Sequence, residues 1–212
     1  EFKLDHATGA KNVPVLTNGE REDVGRLYKT NPFRARKLGA ALIATNVARL
    51  LRNELAEQDG TLHPLIYCWR GGLRSQSIAT ILAHVGWRVH ILQGGYKAYR
   101  DHVREALDTL PSALSFRVIA GPTGSAKTAM LHELTQQGEQ TLDLEGMAQH
   151  RGSILGEIPG LVQPTQKHFE STVYNQIRSF APERPVRVEA ESHRIGALHI
   201  PDKIFRKMRV AP

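Results

Sequence analysis

Phe116-Arg117-Val118-Ile119-Ala120-Gly121-Pro122-Thr123-Gly124-Ser125-Ala126-Lys127-Thr128 is the stretch on which the reading of the fold turns. Phe116–Ala120 is a short apolar run, expected as a buried strand, and a helix is expected from Lys127 to about Gln137. Strand, Gly-containing loop and helix, with Lys-Thr in register, form the setting of a phosphate-binding loop. The backbone N–H groups of Gly121, Thr123, Gly124, Ser125 and Ala126 would wrap a di- or triphosphate. Lys127 would pair with its oxygens and Thr128 could hold Mg²⁺. Ala126 stands where the pattern has its last glycine; a methyl there crowds the phosphate or restrains the loop and counts against nucleotide hydrolysis. The bland alternative is a Gly-rich turn, which leaves the Lys-Thr register unexplained.

Downstream, Thr141–Leu144 and Val186–Ala190 read as strands, and Phe169, Val173 and Ile177 mark a helix between them. Asp143 and Glu145 lie at the end of one strand, Glu189 and Glu191 at the end of the other. Carboxylates at strand C-termini near a phosphate loop can hold Mg²⁺ directly or through water, and solvated turn carboxylates are an equal reading. His150-Arg151-Gly152-Ser153 offers a further anion contact. The ten histidines show no metal-ligand spacing, so no zinc is assigned. No tightly bound cofactor is expected; Mg²⁺ is the one candidate.

Upstream, Asn31-Pro32 reads as an N-cap followed by proline at the first helical position. The helix it opens runs from Phe33 to about Glu57, with Asp59-Gly60 ending it. Leu62–Tyr67 is a short strand whose Pro64 puts its beginning at an edge. A helix from Ser75 to Val85 stops at Gly86, Arg88–Leu92 is the next strand, and a helix runs from Tyr96 to about Leu110. The chain opens from Glu1 into a loop-like stretch. Pro111-Ser112 is the linker candidate, which divides the chain into 1–111 and 112–212. Strands alternating with helices indicate α/β architecture with a mainly parallel sheet in each half. Glu1 at the start and Val210-Ala211-Pro212 at the end read as cuts in a longer protein.

Cys68-Trp69-Arg70-Gly71-Gly72-Leu73-Arg74-Ser75 follows the first strand and runs into a helix. A cysteine facing a helix N-terminus, with arginines beside it, has a stabilised thiolate. Gly71 and Gly72 let consecutive N–H groups turn inward as an anion nest, and Arg74 can fork onto two oxyanion atoms. Cys68 and Arg74 are the catalytic candidates; Trp69, Arg70, Gly71, Gly72, Leu73 and Ser75 form the anion loop. A buried structural cysteine is the competing reading. Trp69 reads as a packing or stacking residue.

The chain has 212 residues, of which 41% are hydrophobic and 23% charged, values ordinary for a globular protein. A single cysteine excludes an intrachain disulfide framework and multi-cysteine metal sites, and fits a reducing, cytoplasmic setting. No apolar run reaches the ~20 residues needed to span a bilayer, so no membrane partner is expected. The net charge of +7 favours an anionic partner, and solvated surface cations give the same total. Arg26, Lys29, Arg34, Arg36 and Lys37 form one basic group, and Lys203, Arg206, Lys207 and Arg209 another. Arg34, Arg36 and Lys37 are candidate RNA contacts, set against the plain reading of a charged helix face.

The cysteine loop resembles the active-site loop of rhodanese-family sulfurtransferases. The flanking segments Gly9-Ala10…Asn12-Val13-Pro14 and Gly86-Trp87…Gly94-Gly95-Tyr96…Ala98-Tyr99 agree with it. Five residues separate Cys68 from Arg74, where the sulfur-carrying members generally have four. That longer ring is closer to cysteine phosphatases of the same fold and suits a phosphate-like donor. The rhodanese first strand is absent from the chain.

A rhodanese-like half followed by a phosphate loop resembles the bacterial tRNA 2-selenouridine synthases nearly end to end. The resemblance is carried by Tyr67-Cys68-Trp69-Arg70-Gly71-Gly72, Gln93-Gly94-Gly95-Tyr96-Lys97, Asp143-Leu144-Glu145-Gly146, His150-Arg151-Gly152-Ser153 and Glu189…Glu191-Ser192. It implies a rhodanese-like parallel-sheet domain followed by a P-loop NTPase-like α/β domain, both truncated. It further implies replacement of sulfur by selenium in a wobble 2-thiouridine of tRNA, with selenophosphate as donor. A geranyl group from geranyl diphosphate is attached to the sulfur on the way. On this reading Cys68 attacks the selenium of selenophosphate while Arg74 holds the departing phosphate, and Lys127 and Thr128 grip the diphosphate. The rival functions are a cysteine phosphatase or sulfurtransferase using Cys68 and Arg74, and a nucleotide- or RNA-binding module with an inactive rhodanese half.

Overall fold

The computed structural model describes residues 1–122, 124–152 and 156–212. They form two compact units, one of residues 10–99 and one of residues 1–9 with 100–212. The expected boundary near residue 112 therefore falls inside the second unit. Pro111 is buried in a 3₁₀ turn, Leu110–Ala113, and the Lys207 ammonium donates to the carbonyl oxygens of Ser112 and Leu114 at 3.1 and 3.2 Å. The N-terminal residues join this unit through Asp5, which is buried and accepts a hydrogen bond from Ser171 Oγ at 2.8 Å.

In the unit of residues 10–99, α1 (Asn18–Thr30) and α2 (Pro32–Asn53) pack as a helical pair. Helix α1 lies in a stretch for which the sequence marks no element. Thr17 caps it, accepting from Glu20 N at 3.2 Å, while the Glu20 carboxylate accepts from Thr17 N at 2.7 Å. Asn31 caps α2, and Pro32 supplies a preset φ at its first position. The helix stops at Asn53, four residues before the expected end. Strands β1 (Leu65–Ile66) and β2 (His90–Ile91) pair in parallel, joined by α3 (Leu73–Val85), which Gly86 ends in the left-handed conformation. Both strands are shorter than their apolar runs, and Pro64 precedes the ladder. Val47, Leu50, Ile78, Leu82 and Trp87 close the core, each contributing roughly 1.5–3 kcal/mol by burial. The Trp87 indole N–H donates to the Asp59 carbonyl at 2.6 Å. Helix α4 (Gly95–Thr109) follows.

The second unit holds a three-stranded parallel sheet of β3 (Phe116–Ile119), β4 (Gln140–Leu142) and β5 (Val186–Glu189), in the order β3-β5-β4. Register is fixed by Phe116 and Gln140 both pairing with Val186. Helix α5 (Lys127–Gln136) packs on β4 and β5, and α7 (Gln166–Ile177) packs on β4. Phe169, Val173 and Ile177 are buried as their spacing predicts, and Val186, Val188 and Leu142 are fully enclosed. Short α6 (Leu144–Ala148) begins where β4 was expected to end. An antiparallel pair, β6 (Arg194–Ile195) and β7 (Leu198–His199), and α8 (Asp202–Arg209) complete the unit. The architecture is α/β, with a parallel-sheet unit and a phosphate-loop unit. Among the described residues, no helix is long and apolar enough to cross a membrane.

Candidate functional site

The cysteine loop leaves β1 and turns at Gly71, whose φ of +66° a side chain tolerates poorly. A Cβ on Gly71 would lie 3.0 Å from the backbone nitrogens of both Gly94 and Gly95. A Cβ on Gly95 would strike the Cys68 carbonyl. The Gly94-Gly95 turn is therefore pressed into the loop from the far side. It holds the loop there by two backbone bonds, Tyr96 N–H to Cys68 O at 2.9 Å and Lys97 N–H to Trp69 O at 3.1 Å. Trp69 stacks on buried Tyr96, with ring centroids 4.6 Å apart and an interplanar angle of 22°. The glycine pair and Tyr96 thereby fix the backbone of Cys68 and Trp69.

Cys68 is half-buried. Its Sγ accepts from Gly72 N–H at 3.2 Å and lies 3.3 Å from Ser75 Oγ. Burial alone would push the thiol up. Hydrogen bonds from the Ser75 hydroxyl and from the backbone N–H groups of Ser75, Arg70 and Gly72 outweigh it, so the thiol lies below its ordinary range. The Gly72 and Ser75 N–H groups among these donors belong to the N-terminal turn of α3, so the helix start itself takes part in holding the thiolate. Arg74 is half-buried in the first turn of α3, whose N-cap Gly72 offers no side-chain acceptor; Arg70 and Leu73 are exposed.

The phosphate loop lies between β3 and α5. Ala126 occupies its last loop position with φ +60° and ψ +26°, the left-handed conformation that glycine supplies at no steric cost. The Lys127 ammonium folds over its own loop and donates to the carbonyls of Gly121 and Pro122 at 3.0 and 3.3 Å. Gly121, Gly124 and Ser125 are exposed and line the cavity with Ala126; Thr123 lies outside the described residues.

That cavity has a volume of about 740 Å³. Its floor carries three carboxylates, Glu145, Glu189 and Glu191, with one oxygen of each within 4.8 Å of the others. Glu189 ends β5, is 4% exposed, and its Oε1 has no hydrogen-bond partner among the described residues. Burial raises its pKa, helped by the charges of Glu145 and Asp143, against a hydrogen bond to Thr128. Burial, together with the hydrogen bond and charge of Glu145, pushes Glu191 up to about 8. Asp143 is otherwise engaged: it caps α6, accepting from Gly146 N at 2.8 Å, and lies 3.2 Å from His132 Nε2. Arg151 is exposed at the cavity wall, and Gly152, with φ +68°, lies against Glu145 and Glu191 where a side chain would collide. Ser153 lies outside the described residues. Once ionised, three carboxylates beside an anion loop repel a phosphate unless a cation lies between them. The donor set and the orphaned Glu189 oxygen fit Mg²⁺, and the Thr128 side chain, hydrogen-bonded to Glu189, lines the same cavity.

Arg34, Arg36 and Lys37 are exposed on the first turns of α2, and Lys203, Arg206 and Arg209 are exposed on α8.

The tRNA 2-selenouridine synthase AAA domain matches residues 114–212. A tRNA 2-selenouridine synthase of Nitrosomonas europaea is 33% identical over 99% of this chain and 55% of its own length. Those of Aeromonas salmonicida and Shewanella loihica are 36% and 35% identical over all of this chain and 57% and 56% of theirs. The chain spans rather more than half the length of these relatives, and the match covers the cysteine loop as well as the phosphate loop. With both loops formed and both halves matched, the chain is similar along its whole length to the tRNA 2-selenouridine synthases, and residues 114–212 match the AAA domain of that family.

Proposed function

We propose that the chain carries the working loops of a tRNA-modifying transferase that replaces sulfur by selenium in wobble 2-thiouridine. Selenophosphate is the selenium donor, and geranyl diphosphate alkylates the sulfur first. One observation carries the reading: a cysteine whose thiolate is favoured by its loop's hydrogen bonds and a separate diphosphate-type loop occur in one chain, one loop for each donor.

In the phosphate-loop cavity, Lys127 and the loop N–H groups hold the diphosphate. Glu145, Glu189, Glu191 and Thr128 would hold Mg²⁺, which when bound would neutralise charge on the diphosphate. The uridine sulfur forms a bond to the geranyl carbon as the C–O bond breaks, and diphosphate leaves with the electron pair. Alkylation turns the sulfur into a good leaving group.

At the cysteine loop, electron counting moves the attack from selenium to phosphorus. Attack on selenium would leave the bonding pair on phosphorus and release phosphite. Attack of the Cys68 thiolate on phosphorus forms S–P and breaks P–Se, and selenide departs with the pair. Arg74 and the loop N–H groups hold the phosphoryl oxygens. Selenide then displaces geranylthiolate at C2 of the uridine, and water cleaves S–P to return phosphate and the thiolate. The five-residue ring would equally serve a cysteine phosphatase, a reading that leaves the phosphate loop idle. The thiolate chemistry suits a reducing cytoplasm, and Arg34, Arg36 and Lys37 would contact tRNA phosphates.

The test is incubation of the full chain with thiouridine tRNA, geranyl diphosphate and selenophosphate, followed by nucleoside mass analysis. Geranylated thiouridine is expected without selenophosphate, and selenouridine with it. Recovery of unchanged thiouridine in both would overturn the assignment.

A further inference from the structure

From Val24 to Asn53 the chain carries seven arginines and lysines and no aspartate or glutamate. This segment is the second half of α1, the turn at Asn31 and all of α2. Of those cations, Arg26 is paired with Asp23 at 3.3 Å and Arg49 lies near Glu20, both acids in the first half of α1, so the positive charge is densest at Arg34, Arg36 and Lys37 beside the turn. Such an acid-free run on one helical pair is a concentrated positive surface, which a polyanion complements.

The turn also displays aromatic rings to solvent. Phe33 is 74% exposed and Tyr28 52% exposed, on either side of Asn31-Pro32. Phe33, Arg36, Lys37 and Ala40 share one exposed face of α2, while Ala35 and Gly39 on the opposite face are buried. The turn is rigid: Asn31 Oδ1 accepts from Arg34 N–H at 3.0 Å, and Asn31 N–H donates to Leu27 O at 2.8 Å. Gly39 gives room for the close approach of α1, since a Cβ there would lie 3.5 Å from a Val24 methyl. A phenyl ring held in water on a rigid, cationic turn stabilises nothing in the fold. It is preorganised for a flat apolar ligand attached to negative charge.

We infer that the α1–α2 turn is a stacking platform for unpaired bases of an RNA loop, with Phe33 and Tyr28 as the ring surfaces and Arg34, Arg36 and Lys37 on the flanking phosphates. The inference rests on the proposed tRNA substrate and specifies which part of it docks here: single-stranded loop, not duplex. Stacking on aromatics combined with cations is how unpaired strands are held, whereas an A-form duplex is read through its phosphates and hydroxyls. The other basic group lacks this combination. On α8, Lys207 is spent on the Ser112 and Leu114 carbonyls, and Phe205 lies against His193.

The test measures binding by fluorescence anisotropy at several salt concentrations, using the full chain, an anticodon stem-loop RNA and a fully paired RNA duplex. Phe33→Ala is expected to weaken stem-loop binding about tenfold and to leave duplex binding unchanged, and Phe33→Trp to restore it. Arg36→Ala and Lys37→Ala should each flatten the salt dependence for the stem-loop. Phe33 is exposed, so its variants should unfold at the wild-type temperature. The platform is overturned if Phe33→Ala binds the stem-loop as tightly as wild type, or loses both RNAs equally. It is also overturned if the substitution dissociates a dimer of the chain while RNA affinity stands. A wild-type chain that makes selenouridine while Phe33→Ala binds normally would remove the platform and keep the proposed function; a wild type that binds neither RNA would remove both.

Discussion

Ser75 Oγ lies 3.3 Å from Cys68 Sγ and 3.0 Å from the Gly72 carbonyl oxygen. The hydroxyl has one proton, and it can serve either neighbour. When Cys68 is a thiol, the hydroxyl satisfies the carbonyl; when Cys68 ionises, it turns to the sulfur. Ser75→Ala should therefore raise the Cys68 pKa and slow alkylation by iodoacetamide several-fold at neutral pH, with the rate recovering in alkali. An unshifted pH profile of alkylation would show that the backbone N–H groups suffice.

Ala126 holds a left-handed backbone without being glycine. That conformation costs a residue with a Cβ about 1 kcal/mol, partly offset by the greater freedom of glycine in the unfolded chain. Ala126→Gly should stabilise the chain by roughly 0.5 kcal/mol, seen as a small rise in the denaturant midpoint. A fall would mean that the methyl packs favourably in the loop.

Glu191 keeps its proton to about pH 8 in the folded chain and has an ordinary value of 4.5. Between those values the folded state binds more protons than the unfolded state, so metal-free stability declines as pH rises through the window. Below it both states are protonated and the loss vanishes. Thermal unfolding between pH 5 and 8 should show this decline, Glu191→Gln should remove it, and Mg²⁺ should raise the midpoint most at the alkaline end. A Glu191→Gln profile identical to wild type would assign the decline elsewhere.

Lys127 donates to two carbonyls of its own loop, so it must swing onto an incoming phosphate. Lys127→Ala should weaken diphosphate binding tenfold to a hundredfold, the effect of about 1.5–3 kcal/mol for a charged hydrogen bond. Calorimetry with inorganic diphosphate and Mg²⁺ measures this directly. Unchanged affinity would place the anion outside the loop.

Elements with a local stop or start were legible in the sequence. Asn31-Pro32 opens α2 and Gly86 ends α3 because each residue answers a single backbone requirement. Helix α1 was not read, although Thr17 and Glu20 carry the Ser/Thr-x-x-Glu spacing of a capping box; its weak apolar periodicity buries no residue. The proline that looked like a linker is buried because α8, 90 residues later, reaches back to the turn that contains it. Both anion loops were legible from glycine spacing, Cys68 and Lys127. The grip of Gly94-Gly95 on Cys68 was not, since it joins segments separated by α3 and β2. Nor was the clustering of Glu145 with Glu189 and Glu191, which depends on β5 lying beside β4.

Two loops serving two donors is the central claim, and one nucleoside analysis of Cys68→Ala tests it most directly. With thiouridine tRNA, geranyl diphosphate and selenophosphate all present, this variant should accumulate geranylated thiouridine and make no selenouridine. Selenouridine formed at the wild-type rate would contradict the account.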